Sequence, residues 1–341
     1  MVKMNIAQLC PPILATPPLK YGGTERVASM LTEELVRRGH RVTLYATGNS
    51  KTKAKLKYFY RKNIGIDYFR LQNGILQASL VFDDQDDYEI VHSHTGGYGL
   101  IVAKYMKTPV VTTMHNDYIR PGTIEFEQYR NSGHFVCISK KQEKRLKGLR
   151  SAGVVYNATD TDKYRFCDEK RDYFFFIGNI NNNKGPDLAI KTAKELKTRL
   201  ILAAKVDKNQ LPFFETKVKP FVDGKRIMMY STINMEKKIK LYQQARCLLF
   251  PIRWEEPFGL VMIEAMSCGT PVVAMNRGSV PEVIKHGETG YVADNYREFV
   301  SYVRKIDEID PKACRRWVEK KFSIGAMTDG YEKTYKRIIK G

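Results

Sequence analysis

The sequence predicts an α/β protein with two Rossmann-like domains, each built on a parallel sheet. Short apolar runs that are typical of buried strands alternate with helix-like runs along the whole chain, and this alternation indicates parallel strands connected by helices. The length of 341 residues is enough for about two domains with separate cores. The hydrophobic fraction of 43% and the charged fraction of 28% are those of a globular protein.

The first half of the chain contains five strand-like runs, at residues 4–9, 41–47, 89–94, 108–115 and 135–139. The basic stretch 51–63 is interpreted as an exposed loop, and a helix is predicted near 74–82. Residues 154–157 close this half. We place the domain boundary between residues 162 and 163, in a region where polar and charged residues interrupt the apolar pattern.

The second half begins with a run of aromatic residues at 173–178, which predicts a strand buried on both faces. Further strands are predicted at residues 200–204, 226–230, 247–252 and 271–274. Helices are expected from about 295 to 340.

The chain shows no pattern of an exported or membrane-spanning protein. No apolar run approaches the ~18 residues of a membrane span, and no signal-peptide pattern precedes the first strand. We therefore expect a cytoplasmic protein. The six cysteines form no C-x-x-C pair, which favours buried, reduced thiols over a zinc site or a disulfide framework.

Four explanations are possible for the net charge of +20: the chain binds nucleic acid, it binds an anionic membrane, it binds an anionic small substrate, or it simply has a lysine-rich surface. The charges are scattered over both halves, which favours the last. Two basic clusters stand out, at residues 51–62 and 140–150. The second predicts a basic helix with a thin apolar side. Peripheral contact with an anionic membrane at the inner face is the less favoured alternative to a solvated basic face there.

An acidic run, residues 83–87, contains a D-x-D spacing that some transferases use to hold a divalent cation. Here the run precedes a predicted strand instead of following one. We interpret it as a solvated acidic turn and expect no metal site.

Two acids and several free amides follow the predicted strand 247–252. Glu256 lies in the loop after that strand, and Glu264 lies in the helix that Gly269 ends. Ligands of open parallel sheets bind at this edge. There, the amides of residues 258–260 are placed to hold an anion, and the two carboxylates are placed to accept hydrogen bonds from hydroxyl groups. On spacing alone, a capped core helix with solvated acids explains the pattern equally well.

Two other loops have the composition of phosphate-binding turns. Gly22 and Gly23 lie between the first strand and a helix, and Lys184 lies in a polar loop before another helix. Each is also typical of an ordinary turn. The G-x-G-x-x-G fingerprint is absent, which speaks against a nicotinamide oxidoreductase.

Three histidines lie at or near predicted strand ends. His92 and His94 share a strand face, but no third metal ligand is evident nearby. His94 and His115 each end a strand, and His94 is expected to face a cleft. A lone histidine at such a position is more often structural.

The block from Trp254 to Pro271, with Glu256 and Glu264 eight positions apart, resembles the signature of the family-4 (group 1) retaining glycosyltransferases. The resemblance covers nearly the whole chain. It implies GT-B architecture, with two facing Rossmann-like domains and an inter-domain cleft. Residues 1–162 would form the acceptor domain and residues 163–322 the donor domain, with a terminal helix, about 323–341, packing back on the first.

The resemblance also implies roles in the second domain. Glu256 orients the transferred sugar, Glu264 accepts from the ribose, and Lys184 acts with the amides of Phe258, Gly259 and Leu260 on the departing diphosphate. The loop 231–233 would hold the nucleobase. Asn179 departs from the family, because an arginine is expected at that position. Either turnover is poor or another cation substitutes, and Arg253 is our candidate for that cation.

In the first domain, Gly23 matches the glycine that contacts the diphosphate, and His115 matches the histidine beside the transferred sugar. Thr24 and His94 are expected on the acceptor side. The implied activity is metal-independent, cofactor-free, front-face transfer of a hexose-type sugar from a UDP- or GDP-sugar to an unknown acceptor hydroxyl. A nucleotide-sugar epimerase of the same fold and, more remotely, a nucleic-acid-binding protein are the alternatives.

Overall fold

A computed structural model describes residues 3–19, 21–117, 119–206 and 208–341, with only the backbone of Lys208. The chain divides into two compact units. Unit 1 comprises Met1–Ala158 together with Ile324–Gly341, and unit 2 comprises Thr159–Ser323. The division falls four residues before the predicted boundary.

Unit 1 contains a seven-stranded sheet. Its strands are β1 (Asn5–Leu9), β2 (Arg41–Tyr45), β3 (Lys55–Lys57), β4 (Ile90–Ser93), β5 (Val110–Met114), β6 (His134–Cys137) and β7 (Ser151–Val154). All neighbours pair in parallel, in the order β3-β2-β1-β4-β5-β6-β7. The connecting helices are α1 (Gly23–Arg37), α2 (Leu71–Asp83), α3 (Gly97–Tyr105), α4 (Ile124–Tyr129) and α5 (Lys140–Arg145).

Unit 2 contains a six-stranded parallel sheet of order β10-β9-β8-β11-β12-β13. Its strands are β8 (Arg171–Ile180), β9 (Arg199–Val206), β10 (Ile227–Tyr230), β11 (Ala245–Phe250), β12 (Val272–Met275) and β13 (Gly290–Ala293). Its helices are α6 (Pro186–Glu195), α7 (Leu211–Lys217), α8 (Met235–Gln244), α9 (Leu260–Ser267), α10 (Val280–Val283), α11 (Tyr296–Arg304) and α12 (Pro311–Lys321).

The last helix, α13 (Ile324–Ile339), belongs to unit 1. Arg38 at the end of α1 donates to Asp329 and Glu332 of α13, at 2.6 and 3.1 Å. Tyr331 and Tyr335 are fully buried against the sheet of unit 1. Two sheets of parallel strands with connecting helices thus confirm the predicted α/β fold class.

Buried strands account for the cores, as the apolar runs predicted. Phe174, Phe175 and Phe176 of β8 are at most 1% exposed.

Five of the six cysteines are buried and none forms a disulfide within the described residues. In the part of the chain that the structure describes, no helix is long and apolar enough to cross a membrane.

Two local expectations were wrong. The stretch 51–63 was expected to be loop throughout, yet residues Lys55–Lys57 form the edge strand β3 because their backbone pairs with β2. The helix expected over 140–150 ends at Arg145. Leu146 and Leu149 beyond it are buried in the core of unit 1, so its surface is charged without an apolar side. Membrane contact through this segment stays a prediction.

Candidate functional site

The strand order of unit 2 reverses between β8 and β11, and this is the point where ligands of open α/β sheets bind. The loop that leaves β8 carries Lys184, and the loop that leaves β11 carries Glu256. Because β8 and β11 are hydrogen-bonded neighbours, their carboxyl ends bring these two loops together. The fold therefore places two of the predicted site residues side by side.

Lys184 and Glu256 form an ion pair. The Nζ atom of Lys184 lies 2.6 Å from Oε2 of Glu256, and the indole Nε1–H of Trp254 donates to the same oxygen at 3.0 Å. The ammonium also lies over the Trp254 ring, 4.6 Å from its centroid. The second oxygen of Glu256, Oε1, accepts no hydrogen bond from any described residue, so it is available to a ligand.

Two glycines let the Glu256 loop adopt this shape. Gly259 has φ 80, and a Cβ there would lie 2.7 Å from Cε of Met262. A Cβ on Gly278 would lie 2.2 Å from the carbonyl oxygen of Glu256. The neighbouring Glu255 accepts from the amide of Gly278 at 3.0 Å. Both glycines are therefore required for the position of the Glu256 side chain.

Helix α9 begins directly after this loop. The amides of Gly259 and Leu260 donate no hydrogen bond to another described residue, as is usual for the first turn of a helix. The ring of Phe258 is buried against Phe322. The side chain of Phe258 is thus part of the core, and any ligand contact from this residue would come through its backbone.

Glu264 is 3% exposed and its carboxylate is enclosed by donors. Oε1 accepts from Tyr164 at 2.7 Å and Lys238 at 2.9 Å. Oε2 accepts from Tyr242 at 2.9 Å and lies 2.7 Å from Nζ of Lys238. Burial, followed by the charge of Glu264, holds the pKa of Tyr242 well above its usual range.

A ribose could therefore bind Glu264 only by replacing one of these partners, since a carboxylate offers about four acceptor positions. The assignment of Glu264 to the ribose stays a prediction. Sequence reasoning missed Lys238 and Tyr242. Their four-residue spacing on α8 puts both on one helix face, which is the signal that was available.

Two cations, Arg253 and Lys205, are candidates for the charge missing at Asn179, and their surroundings differ. Arg253 forms a bidentate ion pair with Asp187, at 2.9 and 2.6 Å, which compensates its charge. On the strand next to Asn179, Lys205 is in direct register with it and therefore shares its sheet face. Lys205 is exposed and makes no ion pair with the residues that the structure describes.

In unit 1 the strand order reverses between β1 and β4. The loop after β1 carries Gly22 and leads into α1 at Gly23, with Thr24 half-buried in its first turn. His94 follows β4, and His115 follows β5. The structure thus places the predicted residues of unit 1 at the carboxyl edge of its sheet; their roles stay predictions.

His94 and His115 belong to a buried polar network. Nδ1 of His94 lies 2.9 Å from Nε2 of His115, and Nε2 of His94 lies 2.8 Å from Oε1 of Gln8. Both nitrogens of His94 are therefore occupied, and its ring is 1% exposed. Contact of His94 with an acceptor would require one of these bonds to break. Its expected exposure to a cleft does not fit this burial.

A second branch of the network reaches helix α13. The amide Nε2–H of Gln8 donates to the Tyr335 hydroxyl at 3.2 Å, and that hydroxyl lies 2.6 Å from Nδ1 of His92. Nε2 of His92 lies 2.7 Å from Oγ1 of Thr113. His92 is thus a structural residue, with no nitrogen left for a metal.

The network determines the hydrogen-bonding character of His115. Burial lowers the pKa of His115 to about 4 and the pKa of His94 well below its usual range, so both rings are neutral at pH 7. The carbonyl oxygen of Gln8 only accepts, so Nε2 of His94 carries the proton and its Nδ1 accepts. Nε2–H of His115 must then donate, which leaves Nδ1 of His115 as an acceptor.

This assignment predicts a single tautomer for His115. In protein labelled with ¹⁵N-histidine, long-range ¹H–¹⁵N spectra should show His115 protonated at Nε2, and neutral down to about pH 5, because its pKa is about 4. Gln8→Leu removes the fixed carbonyl oxygen and should allow both tautomers. A proton on Nδ1 in the wild-type protein would contradict the assignment.

Within the described residues, no group of three or more His, Cys, Asp and Glu side chains is placed to hold a metal ion. The acidic run 83–87 lies between α2 and β4, at the amino end of the strand. Asp84 is bound to Lys57 and Tyr45, each through Oδ2. These contacts agree with a structural turn.

Models of two protein families match the chain. The model described as Glycosyltransferase Family 4 matches residues 21–163, and the model described as Glycosyl transferases group 1 matches residues 159–323. Together they cover residues 21–323.

Individual relatives are distant. An uncharacterised 41.2 kDa protein from the cps region of Klebsiella pneumoniae is 27% identical over 201 residues, 54% of each chain. The D-inositol 3-phosphate glycosyltransferase of Mycobacterium sp. (strain KMS) is 24% identical over 284 residues, 71% of this chain and 64% of that protein. The chain thus spans less than two thirds of these curated relatives.

Among solved structures, Anabaena Alr3699/HepE in complex with UDP and glucose has a similar fold, with a TM-score of 0.76 at 15% identity. The alignment covers 98% of this chain and 100% of that one.

Proposed function

Because the chain belongs to the group 1 glycosyltransferases and has the GT-B fold, we propose that it transfers a hexose-type sugar from a nucleoside diphosphate donor to an acceptor hydroxyl with retention of configuration. The observation that carries this proposal is the arrangement of Lys184 and Glu256 at the switch point of unit 2. One carboxylate oxygen is fixed by a cation and an indole, and the other is open to a ligand hydroxyl.

The proposed reaction is a front-face displacement. The bond between the anomeric carbon and the diphosphate oxygen breaks, and a bond from the acceptor oxygen to the same carbon forms on the same face. The acceptor proton passes to the departing diphosphate oxygen. Lys184 and the amides at the start of α9 stabilise the negative charge of that diphosphate. Glu256 holds the sugar through its hydroxyls with Oε1.

His115 takes part through Nδ1, which accepts a hydrogen bond. A group that meets this nitrogen must therefore be a donor, such as a sugar hydroxyl, and not a phosphate oxygen. Because burial lowers the pKa of His115 to about 4, its imidazole is uncharged at neutral pH. Its proposed role is accordingly to orient the sugar.

The donor class is best tested by binding. UDP and glucose in the Anabaena structure support a nucleoside diphosphate hexose. A thermal-shift screen of the full chain against UDP, GDP, ADP and their sugars should give one clear winner, with UDP or GDP compounds expected to stabilise the protein most. If none of these compounds shifted the melting temperature, the donor site proposed for unit 2 would be wrong.

Lys205 gives a separate prediction. We propose that it supplies part of the positive charge that the family's arginine would provide at position 179. Lys205→Ala should weaken binding of the winning nucleoside diphosphate about tenfold or more, since a charge-assisted hydrogen bond contributes about 1.5–3 kcal/mol. Arg253→Lys is the comparison: if it weakened binding more than Lys205→Ala does, Arg253 would be the replacement cation. Isothermal titration calorimetry measures both.

A further inference from the structure

Unit 1 exposes large apolar side chains over a short segment. Between residues 58 and 76, seven of them are exposed: Tyr58, Phe59, Ile66, Tyr68, Leu71, Ile75 and Leu76. Tyr68 is 75% exposed and Leu71 is 56% exposed. Among the described residues of unit 2, only Leu211 and Phe221 are comparable. We call the seven residues the apolar patch.

The apolar patch is one structure. Leu71 and Ile75 are four residues apart on α2, so they lie on one face of the helix. The loop before the helix is fixed to it, because the amide of Phe59 donates to Gln77 at 3.1 Å and Asn73 donates to the Tyr60 hydroxyl at 3.1 Å. The aromatic loop and the outer face of the helix are therefore held together.

Positively charged residues alternate along the chain with the residues of the apolar patch. Residues 51–76 contain seven lysine and arginine side chains and one acid, Asp67. Lys57 pairs with Asp84 at 2.6 Å. The other six are exposed and form no ion pair with any residue the structure describes; they are Lys51, Lys53, Lys55, Arg61, Lys62 and Arg70. Exposed lysine and arginine side chains are well solvated, but a cluster of exposed apolar side chains is typical of a surface that a partner covers.

We propose that the apolar patch and its cations dock unit 1 on an anionic lipid bilayer. A bilayer surface offers both a layer for aromatic and aliphatic side chains and negative headgroups for lysine and arginine. A second copy of the chain would bring equal positive charge and be repelled. A nucleic acid would use the cations but leave Leu71 and Ile75 in water.

This surface differs from the basic segment 140–150, whose leucines are buried in the core. Of the two basic clusters, only the one in segment 51–76 is combined with exposed apolar side chains. A transferase held at a bilayer would meet acceptors anchored in that bilayer. That consequence rests on the proposed function, whereas the docking itself does not.

Flotation of the full chain with vesicles tests the docking without any donor. The chain should float with vesicles of phosphatidylcholine containing about 30% phosphatidylglycerol and remain unbound with phosphatidylcholine alone. Arg61→Gln with Lys62→Gln should reduce the bound fraction at least about threefold. Tyr68→Ser with Leu71→Gln should also reduce the bound fraction at least about threefold at low salt, because these two apolar side chains can then no longer be buried in the bilayer. Both are exposed, so the variant removes no core contact.

The matched control is Lys140→Gln with Lys141→Gln and Lys144→Gln, which removes more charge but leaves the apolar patch intact. Membrane contact through segment 140–150 would make this variant lose binding, whereas docking through the apolar patch predicts that it binds as the wild type does. Three results would overturn the proposal: no flotation with anionic vesicles, undiminished binding of the Tyr68/Leu71 variant, or loss of binding in the control. Sedimentation as a dimer without vesicles would identify a second copy as the partner and would equally overturn it.

Discussion

Replacing Glu256 by alanine is expected to lower turnover of the cognate donor at least about tenfold, or about 1.4 kcal/mol of transition-state stabilisation. The substitution removes Oε1, the oxygen left open to a ligand, and also removes the partner of Lys184. Turnover is measured as release of nucleoside diphosphate from the donor that the thermal-shift screen selects.

Two further variants separate the roles of this carboxylate. Glu256→Gln keeps an oxygen for the sugar but weakens the ion pair, so it should retain more activity than the alanine variant. Glu288→Ala removes an exposed acid that pairs with Lys285, and should change neither turnover nor melting temperature appreciably. Wild-type turnover in Glu256→Ala would refute the assignment of Glu256 to the donor.

The strands of both units could be predicted because they are buried on both faces. The run 247–252 is continuously apolar, and the structure forms β11 over Ala245–Phe250 there. Helix α2 was expected near 74–82 and extends over Leu71–Asp83. In contrast, β3 has no apolar run; its backbone pairs with β2 through tertiary contact, which local composition does not reveal.

The same contrast holds at the candidate site. Lys184 and Glu256 lie in loops that leave neighbouring parallel strands, so the topology brings these two loops together. The contacts of Gln8 could not be predicted in this way. Its side chain joins His94 and Tyr335, which are 86 and 327 residues away in sequence. Pairs so far apart leave no local pattern, and only the folded chain reveals the contacts from which the tautomer of His115 is inferred.

Lys184→Ala is expected to have the largest effect of any single substitution, lowering the rate of nucleoside diphosphate release about 10²–10³-fold. Among the described residues, the Lys184 ammonium is the only cation that contacts the Glu256 carboxylate directly, and we propose that it acts on the negative charge that grows on the diphosphate. Lys184→Arg keeps the charge with a different shape and should recover part of the rate. Lys191→Ala, on the following helix, removes a lysine that stacks on Tyr296 and is the control.

A purely structural role for Lys184 is distinguishable from this one. Lys184→Ala also leaves Glu256 without its cation, which by itself should lower the melting temperature. In the double variant Lys184→Ala with Glu256→Gln, the uncompensated charge is gone, so the melting temperature should return toward the wild-type value. If Lys184 acts on the diphosphate, release of nucleoside diphosphate should stay slow in that variant. Recovery of both stability and rate would show that Lys184 serves only to hold Glu256.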